Sequence, residues 1–248
     1  MILFNLYRAK ARQQSLLFSL LFYFFCYPLV NQVFPGITYI FDFFFLVIFV
    51  TAAYSIINTK SRFWLALALL VMGIISHTYA IHLGRFDAET IAASMFLGFL
   101  LLIAGSLLKE VISRNRVTFN VICGALNVFL LMGIIWGLIY LLIEFTWPGS
   151  FKLPERASAH IIDSSRYSEL FYFSYVTITT LGYGDITPLS NPARSMALLE
   201  AVLGQFYMVV LVARLVGLHA KSSDSDKTAP EKPNNPAAED SPAIDMKK

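Results

Sequence analysis

Residues 175–188 combine threonines, glycines and an aspartate. Their order suits a site whose chemistry is performed by the carbonyl oxygens of the peptide backbone. The run reads Tyr-Val-Thr-Ile-Thr-Thr-Leu-Gly-Tyr-Gly-Asp-Ile-Thr-Pro, with glycines at alternate positions 182 and 184. A strand whose carbonyl oxygens all point to one side needs positive φ at alternate residues, which glycine adopts at little steric cost. Because a glycine-tyrosine-glycine triplet also occurs in ordinary turns, its meaning depends on the elements around it.

Six apolar stretches are long enough to surround this run with membrane-spanning helices. A helix of about 20 residues crosses the roughly 30 Å hydrocarbon core, and 57% hydrophobic against 14% charged residues favours lipid as the solvent. The predicted spans are 15–34, 37–58, 63–82, 91–108, 121–147 and 195–218. The apolar stretch Leu170 to Thr180 is too short to span, which predicts a re-entrant hairpin between the last two spans.

In this context the run resembles the pore domain of the potassium channel superfamily. That family's filter pattern is Thr-Val-Gly-Tyr-Gly-Asp, and the present chain differs from it by one aliphatic exchange. The resemblance implies that K⁺ is coordinated along Thr180, Leu181, Gly182, Tyr183 and Gly184 by carbonyl oxygens and the Thr180 hydroxyl. It also implies a homotetramer, since one chain supplies only one wall of such a path.

The same resemblance implies supporting roles around the filter for Thr177, Thr179, Phe173 and Asp185. Phe173 stands where many members have a tryptophan, and it lacks the N–H group that helps to anchor the filter tyrosine. Thr177 is a candidate donor to the Tyr183 hydroxyl. Val176 stands where some members have a glutamate that partners the filter aspartate, so Asp185 needs another partner.

The last span is expected to line the inner cavity of the pore. Gly204 matches a glycine that often lets this helix bend as a gate in the family. Glu200 is the one carboxylate well within this span, and a charge at that depth is costly unless it meets water or a partner. Two interpretations stay open: an acid bonded to pore-helix groups behind the filter, and an acid that faces the cavity and attracts cations.

Four spans ahead of a pore domain resemble the layout of a voltage-gated channel. A sensor needs repeated positive charges, each worth about 2.3 kcal/mol per 100 mV, yet the fourth span has no lysine or arginine. Strong voltage gating is therefore not expected. Without sensor arginines to pair with, His77 is interpreted as an ordinary polar position, with pH sensing as the alternative.

These features predict an all-α membrane protein with six transmembrane helices, a re-entrant pore helix and a filter loop. The predicted units are 1–116, a four-helix domain resembling an uncharged voltage sensor; 117–220, the pore domain; and 221–248, a disordered tail. Lysines and arginines cluster at alternate loops, which places both termini in the cytoplasm, with a bacterial inner membrane as the expected location. No cofactor besides permeant K⁺ and no nucleic acid partner are expected.

Two other classes of membrane protein remain open on the sequence. A potassium uptake component usually carries several pore-like repeats and keeps one filter glycine, whereas this chain has one such segment with both glycines. A non-conducting protein that keeps the pore fold as a scaffold is the second alternative. An enzyme is the least supported class, because Glu144, Asp163 and His160 form no known catalytic spacing.

Overall fold

A computed structural model describes residues 13–22, 24, 26, 46–47, 50–51, 60–83, 86–114, 118–154 and 164–227. Within these ranges the chain is almost entirely helical. The helices are α1 (Gln13–Phe22), α2 (Lys60–Leu83), α3 (Phe86–Ser113), α4 (Phe119–Thr146), α5 (Ser164–Ile178) and α6 (Asn191–Lys227). Two short strands, β1 (Phe151–Lys152) and β2 (Thr187–Pro188), pair antiparallel with Phe151 opposite Pro188.

Four helices in the described part are long and apolar enough to cross a membrane. They cover Lys60–Ala80, Asp87–Ser113, Phe119–Thr146 and Asn191–Gly217, and thus correspond to the last four of the six predicted spans. The first predicted span, 15–34, overlaps α1, whose described part has ten residues. The second, 37–58, lies outside the described residues except for four helical positions.

Helix α4 is the centre of the packing, and it is apolar over nearly its whole length. It contacts α3 on one side, and α5 and α6 on the other, while α2 packs against α3. Most side chains along α4 are buried, whereas α6 leaves many large apolar side chains exposed. The single chain therefore covers α4 and leaves a long face of α6 uncovered.

Local signals fix the ends of the helices that frame the loops. Helix α4 stops just before Pro148 and Gly149, and Gly149 has φ +83°, a conformation typical of a helix end. Helix α6 begins after Ser190, whose hydroxyl accepts a hydrogen bond from the Ala193 amide at 3.3 Å as an N-cap. The β1–β2 pair joins these two loops, so the polypeptide between α4 and α6 leaves and returns at the same end of the bundle.

One boundary prediction needs correction. The segment 221–248 was expected to be disordered, but α6 continues as a helix to Lys227, beyond the membrane-length part that ends at Gly217. The first seven residues of that segment are therefore helical, and 228–248 lie outside the described residues.

Candidate functional site

The backbone of the Thr180–Gly184 segment alternates between two conformations. Thr180, Gly182 and Gly184 have φ of 62°, 57° and 78°, while Leu181 and Tyr183, between them, do not have positive φ. The positive φ expected at the two glycines is therefore present, and the alternation extends to a threonine. A non-glycine residue rarely adopts this conformation, so the positive φ at Thr180 extends the alternation one step ahead of the two glycines.

The segment starts directly from the C-terminal turn of α5. The amides of Leu181 and Gly182 both donate to the Val176 carbonyl, at 3.0 and 3.3 Å, and the Thr180 amide donates to the Thr177 carbonyl at 3.0 Å. These bonds hold the beginning of the segment against the C-terminal end of α5. That end carries a partial negative charge from the helix dipole, which favours a cation nearby.

The side chains of this segment are largely uncovered by their own chain. Leu181 is 58% exposed and Tyr183 is 66% exposed, although both are large and largely apolar. Thr179, Thr180 and both glycines are also exposed. The two largest side chains of the segment, Leu181 and Tyr183, are thus mostly uncovered in the single chain.

Asp185 has the alternative partner that the sequence required. Its Oδ2 accepts a hydrogen bond from the Tyr172 hydroxyl at 2.9 Å, and its Oδ1 accepts from the Ile186 amide at 3.1 Å. Desolvation, together with the hydrogen bond to Asp185, raises the pKa of Tyr172 to about 12. Tyr172 thus stays protonated and donates to the carboxylate over the whole physiological pH range.

Two of the expected supporting residues bond within α5 and its surroundings. The Thr177 hydroxyl donates to the Phe173 carbonyl at 2.8 Å, so within one chain it does not bond the Tyr183 hydroxyl as predicted. The Thr179 hydroxyl likewise donates to the Tyr175 carbonyl at 2.5 Å. The Phe173 ring is buried and packs edge-on against Tyr140 and Phe151, with ring centroids 5.1 and 5.5 Å away. Phe173 therefore packs α5 against α4 and β1 within its own chain.

Glu200 is fully buried where α4, α5 and α6 meet. Its Oε1 accepts from the Ser174 hydroxyl of α5 at 2.5 Å, and its Oε2 accepts from the Tyr140 hydroxyl of α4. Both carboxylate oxygens are thus bonded within the protein, as a buried acid requires. This geometry agrees with the interpretation of Glu200 as an acid bonded to α5, and it contradicts the cavity-facing interpretation.

Three glycines allow α5 to approach its neighbours closely. A Cβ atom on Gly133 or Gly137 of α4 would lie 2.3 Å from the Tyr175 ring or 2.1 Å from the Phe171 ring. On α6, a Cβ on Gly204 would lie 2.6 Å from the Ile178 side chain and 3.1 Å from its carbonyl oxygen. Helix α6 is continuous through Gly204. The close approach of Ile178 is enough to explain a glycine at this position, and a hinge at Gly204 stays a prediction.

The glycine pair on α4 was missed by the sequence reasoning, although a signal was present. Gly133 and Gly137 are four residues apart in an apolar span, the small-xxx-small spacing that lets membrane helices pack closely. Tyr175 and Phe171, also four apart, fill the two positions on α5. The Tyr175 hydroxyl then donates to the Leu130 carbonyl at 2.6 Å and fixes the register between the helices.

The N-terminal half of α5 is held by a second buried acid. Glu144 Oε1, near the end of α4, lies 3.3 Å from Arg166 Nη1 and accepts from the Gly149 amide at 2.9 Å. An ion pair buried on both sides is costly to break because it leaves an uncompensated charge. Glu144 therefore anchors α5, whereas Asp163 and His160 lie outside the described residues.

Comparison with known proteins agrees with this geometry. Residues 128–219, less than half of the chain, match a protein family described as "Ion channel". The match begins within α4, includes α5 and the Thr180–Gly184 segment, and ends within α6. It supports an ion channel pore module in the second half of an integral membrane protein. A search of curated proteins found no match for this chain.

Proposed function

We propose that the chain is one subunit of a homotetrameric, potassium-selective channel that conducts K⁺ passively through a filter at Thr180 to Gly184. The observation that carries this proposal is the alternation of positive φ at Thr180, Gly182 and Gly184. In such a backbone successive carbonyl oxygens face the same side. Four copies around an axis would then surround a dehydrated cation with oxygens, replacing its water.

The exposed surfaces support assembly around an axis. The filter side chains Leu181 and Tyr183 are uncovered, and so are large apolar side chains along α6, including Leu198, Phe206, Val209 and Val210. Apolar patches of this extent mark interaction surfaces. A ring of four subunits would cover Leu181 and Tyr183 with neighbouring α5 helices, and lipid or neighbouring α6 helices would cover the rest.

Potassium selectivity is supported by a filter pattern that departs from the family's by one aliphatic exchange, and by the contacts that hold this segment. Both glycines are present, the aspartate that follows them is bonded to Tyr172, and α5 directs its C-terminal end at the segment. The fixed placement of α5 matters because its dipole and its C-terminal carbonyls act on the ion only if the helix does not move. Three buried carboxylates, Glu89, Glu144 and Glu200, each bond a side chain of α5.

The direct test is ion flux into liposomes that contain the purified protein. We expect K⁺ flux to exceed Na⁺ flux clearly, because a filter of carbonyl oxygens coordinates dehydrated K⁺ better than dehydrated Na⁺. Chemical cross-linking of the same preparation should yield a limiting species of four chains. Comparable K⁺ and Na⁺ fluxes, or a chain that stays monomeric in lipid, would contradict the proposal.

Two glycines give a matched pair of variants for this experiment. Gly182→Ala and Gly149→Ala both place a side chain at positive φ, and in both cases the new Cβ meets nothing within 4 Å. Each variant therefore carries a similar backbone strain, of order 1–2 kcal/mol. We expect Gly182→Ala to abolish selective flux and Gly149→Ala to retain it, because only position 182 lies in the filter.

A further inference from the structure

A cluster of three side chains joins α2 and α3 to the N-terminal half of α5. His77 Nδ1 of α2 lies 3.0 Å from Oε1 and 3.2 Å from Oε2 of Glu89, on α3. The Tyr167 hydroxyl of α5 donates to the same Glu89 Oε1. Glu89 is therefore a shared acceptor that links the first half of the chain to the helix directly ahead of the filter.

The two sides of this cluster differ in their access to protons. The Glu89 side chain is 3% exposed, whereas the His77 side chain is 40% exposed. A histidine ordinarily titrates near pH 6.5, so its charge changes within the physiological range. Glu89 is buried and depends on its two donors. A proton that binds His77 therefore changes the charge beside an acid that also holds Tyr167.

Further contacts hold the helices on both sides of the cluster. The Ser76 hydroxyl donates to the Ala88 carbonyl at 2.6 Å, which fixes α2 against α3 beside the His77–Glu89 pair. On the α5 side, Phe145 of α4 packs edge-on against the Tyr167 ring at 6.3 Å. Glu89 thus lies between the packed pair of α2 and α3 on one side and a packed side chain of α5 on the other.

Other ionisable groups lie at the same end of these helices. In the described part they are His82 on α2, Asp87 on α3, Glu144 on α4, and Arg166 and Glu169 on α5. Arg166 pairs with Glu144, 3.3 Å away, which provides a separate attachment of α5. Since Arg166 and Tyr167 are adjacent, the two attachments act on the same turn of α5.

We propose that His77 and Glu89 form a regulatory proton-binding site at the end of the bundle where the filter segment lies, and that Tyr167 transmits its state to the pore. When His77 is neutral, it has no charge that draws the carboxylate away, and Glu89 holds α5 in place through the Tyr167 hydroxyl. When His77 is protonated, the imidazolium attracts the carboxylate and weakens its bond to Tyr167. Conduction is therefore lower at acidic pH. This inference rests on the proposed channel function, since its readout is K⁺ flux.

The test compares K⁺ flux in proteoliposomes at symmetrical pH 5.5 and pH 8 for the wild type and four variants. We expect wild-type flux to fall at least about fivefold at pH 5.5, a size typical of coupling between sites. His77→Gln keeps a donor without titrating, so its flux should hardly change between the two pH values. Tyr167→Phe and Glu89→Gln should also lose the pH dependence. His82→Gln, on the same helix and exposed, should behave as the wild type.

A second measurement separates proton binding from conduction. Carbon-13 NMR of labelled histidine in lipid should assign a titration to His77 whose midpoint shifts in Glu89→Gln and persists in Tyr167→Phe. Selective K⁺ flux that is equal at both pH values, flux that rises in acid, or an unchanged pH profile in His77→Gln would overturn the regulatory site while leaving the channel intact. Absence of selective flux at every pH would instead refute the proposed function.

Discussion

The Ser174 hydroxyl, in the C-terminal half of α5, lies 2.5 Å from Oε1 of Glu200, in the N-terminal third of α6. The same hydroxyl lies 2.8 Å from the Gly133 carbonyl of α4. Glu200 also accepts from the Tyr140 hydroxyl, so a single acid ties three helices together at one level. The bond between Ser174 and Glu200 therefore holds α5 against the helix that is expected to line the pore.

Replacing Glu200 tests whether its shape or its charge matters. In Glu200→Gln, the amide oxygen can accept from Tyr140 and the amide nitrogen can donate to Ser174, which still has a backbone acceptor. We expect K⁺ conductance within about twofold of the wild type, since the network stays complete. A severalfold loss of single-channel conductance in Glu200→Gln would show that the negative charge itself acts on the ion.

Glu200→Ala should be far more harmful than Glu200→Gln. It leaves the buried Tyr140 hydroxyl without its acceptor, at a cost of about 1–3 kcal/mol, and it opens a cavity where the carboxylate was. We expect a lower midpoint of thermal unfolding in detergent and a loss of selective flux. The ratio of the selective K⁺ fluxes of Glu200→Gln and Glu200→Ala, measured side by side, reports how much the side chain at this position contributes to conduction through its hydrogen bonds.

The close approach of α4 and α5 predicts an overpacking defect. In Gly137→Ala the added methyl group would lie 2.1 Å from the Phe171 ring, so α5 must shift, typically at about 1–3 kcal/mol. Thermal unfolding should begin at a lower temperature, and K⁺ flux should decrease. Phe171→Leu in the same chain should restore part of both losses. Gly105→Ala is the control, since a Cβ there meets nothing within 4 Å.

Arg214 makes contacts at the other end of the bundle that are expected to stabilise the protein. Its guanidinium donates to the carbonyls of Val111 at 2.5 Å and Arg114 at 2.8 Å, and also to that of Ile112, at the C-terminal end of α3. A cation is favourable there because those carbonyls have no helical partners. Arg214→Gln should lower the stability of the purified protein by about 1–2 kcal/mol, with allowance for partial exposure.

The control for this variant is Arg114→Gln. The Arg114 side chain makes an exposed ion pair with Glu110 at 3.0 Å, four residues away on the same chain. Exposed pairs of this kind contribute little, about 0.3–0.5 kcal/mol. In thermal or denaturant unfolding, Arg214→Gln should therefore lose clearly more stability than Arg114→Gln. Equal losses would show that the bonds from Arg214 to α3 do not contribute to stability.

Voltage should have little influence on opening. Helix α3 corresponds to the fourth predicted span, where the resemblance would place a voltage sensor, and Lys109, near its end, is its one basic residue. Planar-bilayer recordings should therefore give an effective gating charge below about one elementary charge per channel. A steep activation curve that moves several charges would mean that positive residues elsewhere in the chain cross the field.

Much of the pore half was predictable because its signals are local. The spans that became α4 and α6, the short helix between them and the positive φ at Gly182 and Gly184 follow from apolar length and from glycine at alternate positions. The same locality explains the error at the tail. Polar composition predicted disorder from residue 221, but α6 had already begun and simply continued to Lys227.

Only the tertiary structure decided which distant residues meet. The sequence by itself determined that Glu200 would be costly without a partner, but Ser174 and Tyr140 became its donors because α5 packs into the glycine positions of α4. His77 had no apparent partner in the sequence, yet the hairpin of α2 and α3 brings it to Glu89, and Glu89 to Tyr167. The physical reason is that helix length and backbone conformation depend on neighbours along the chain, whereas pairing depends on rotation and register between helices.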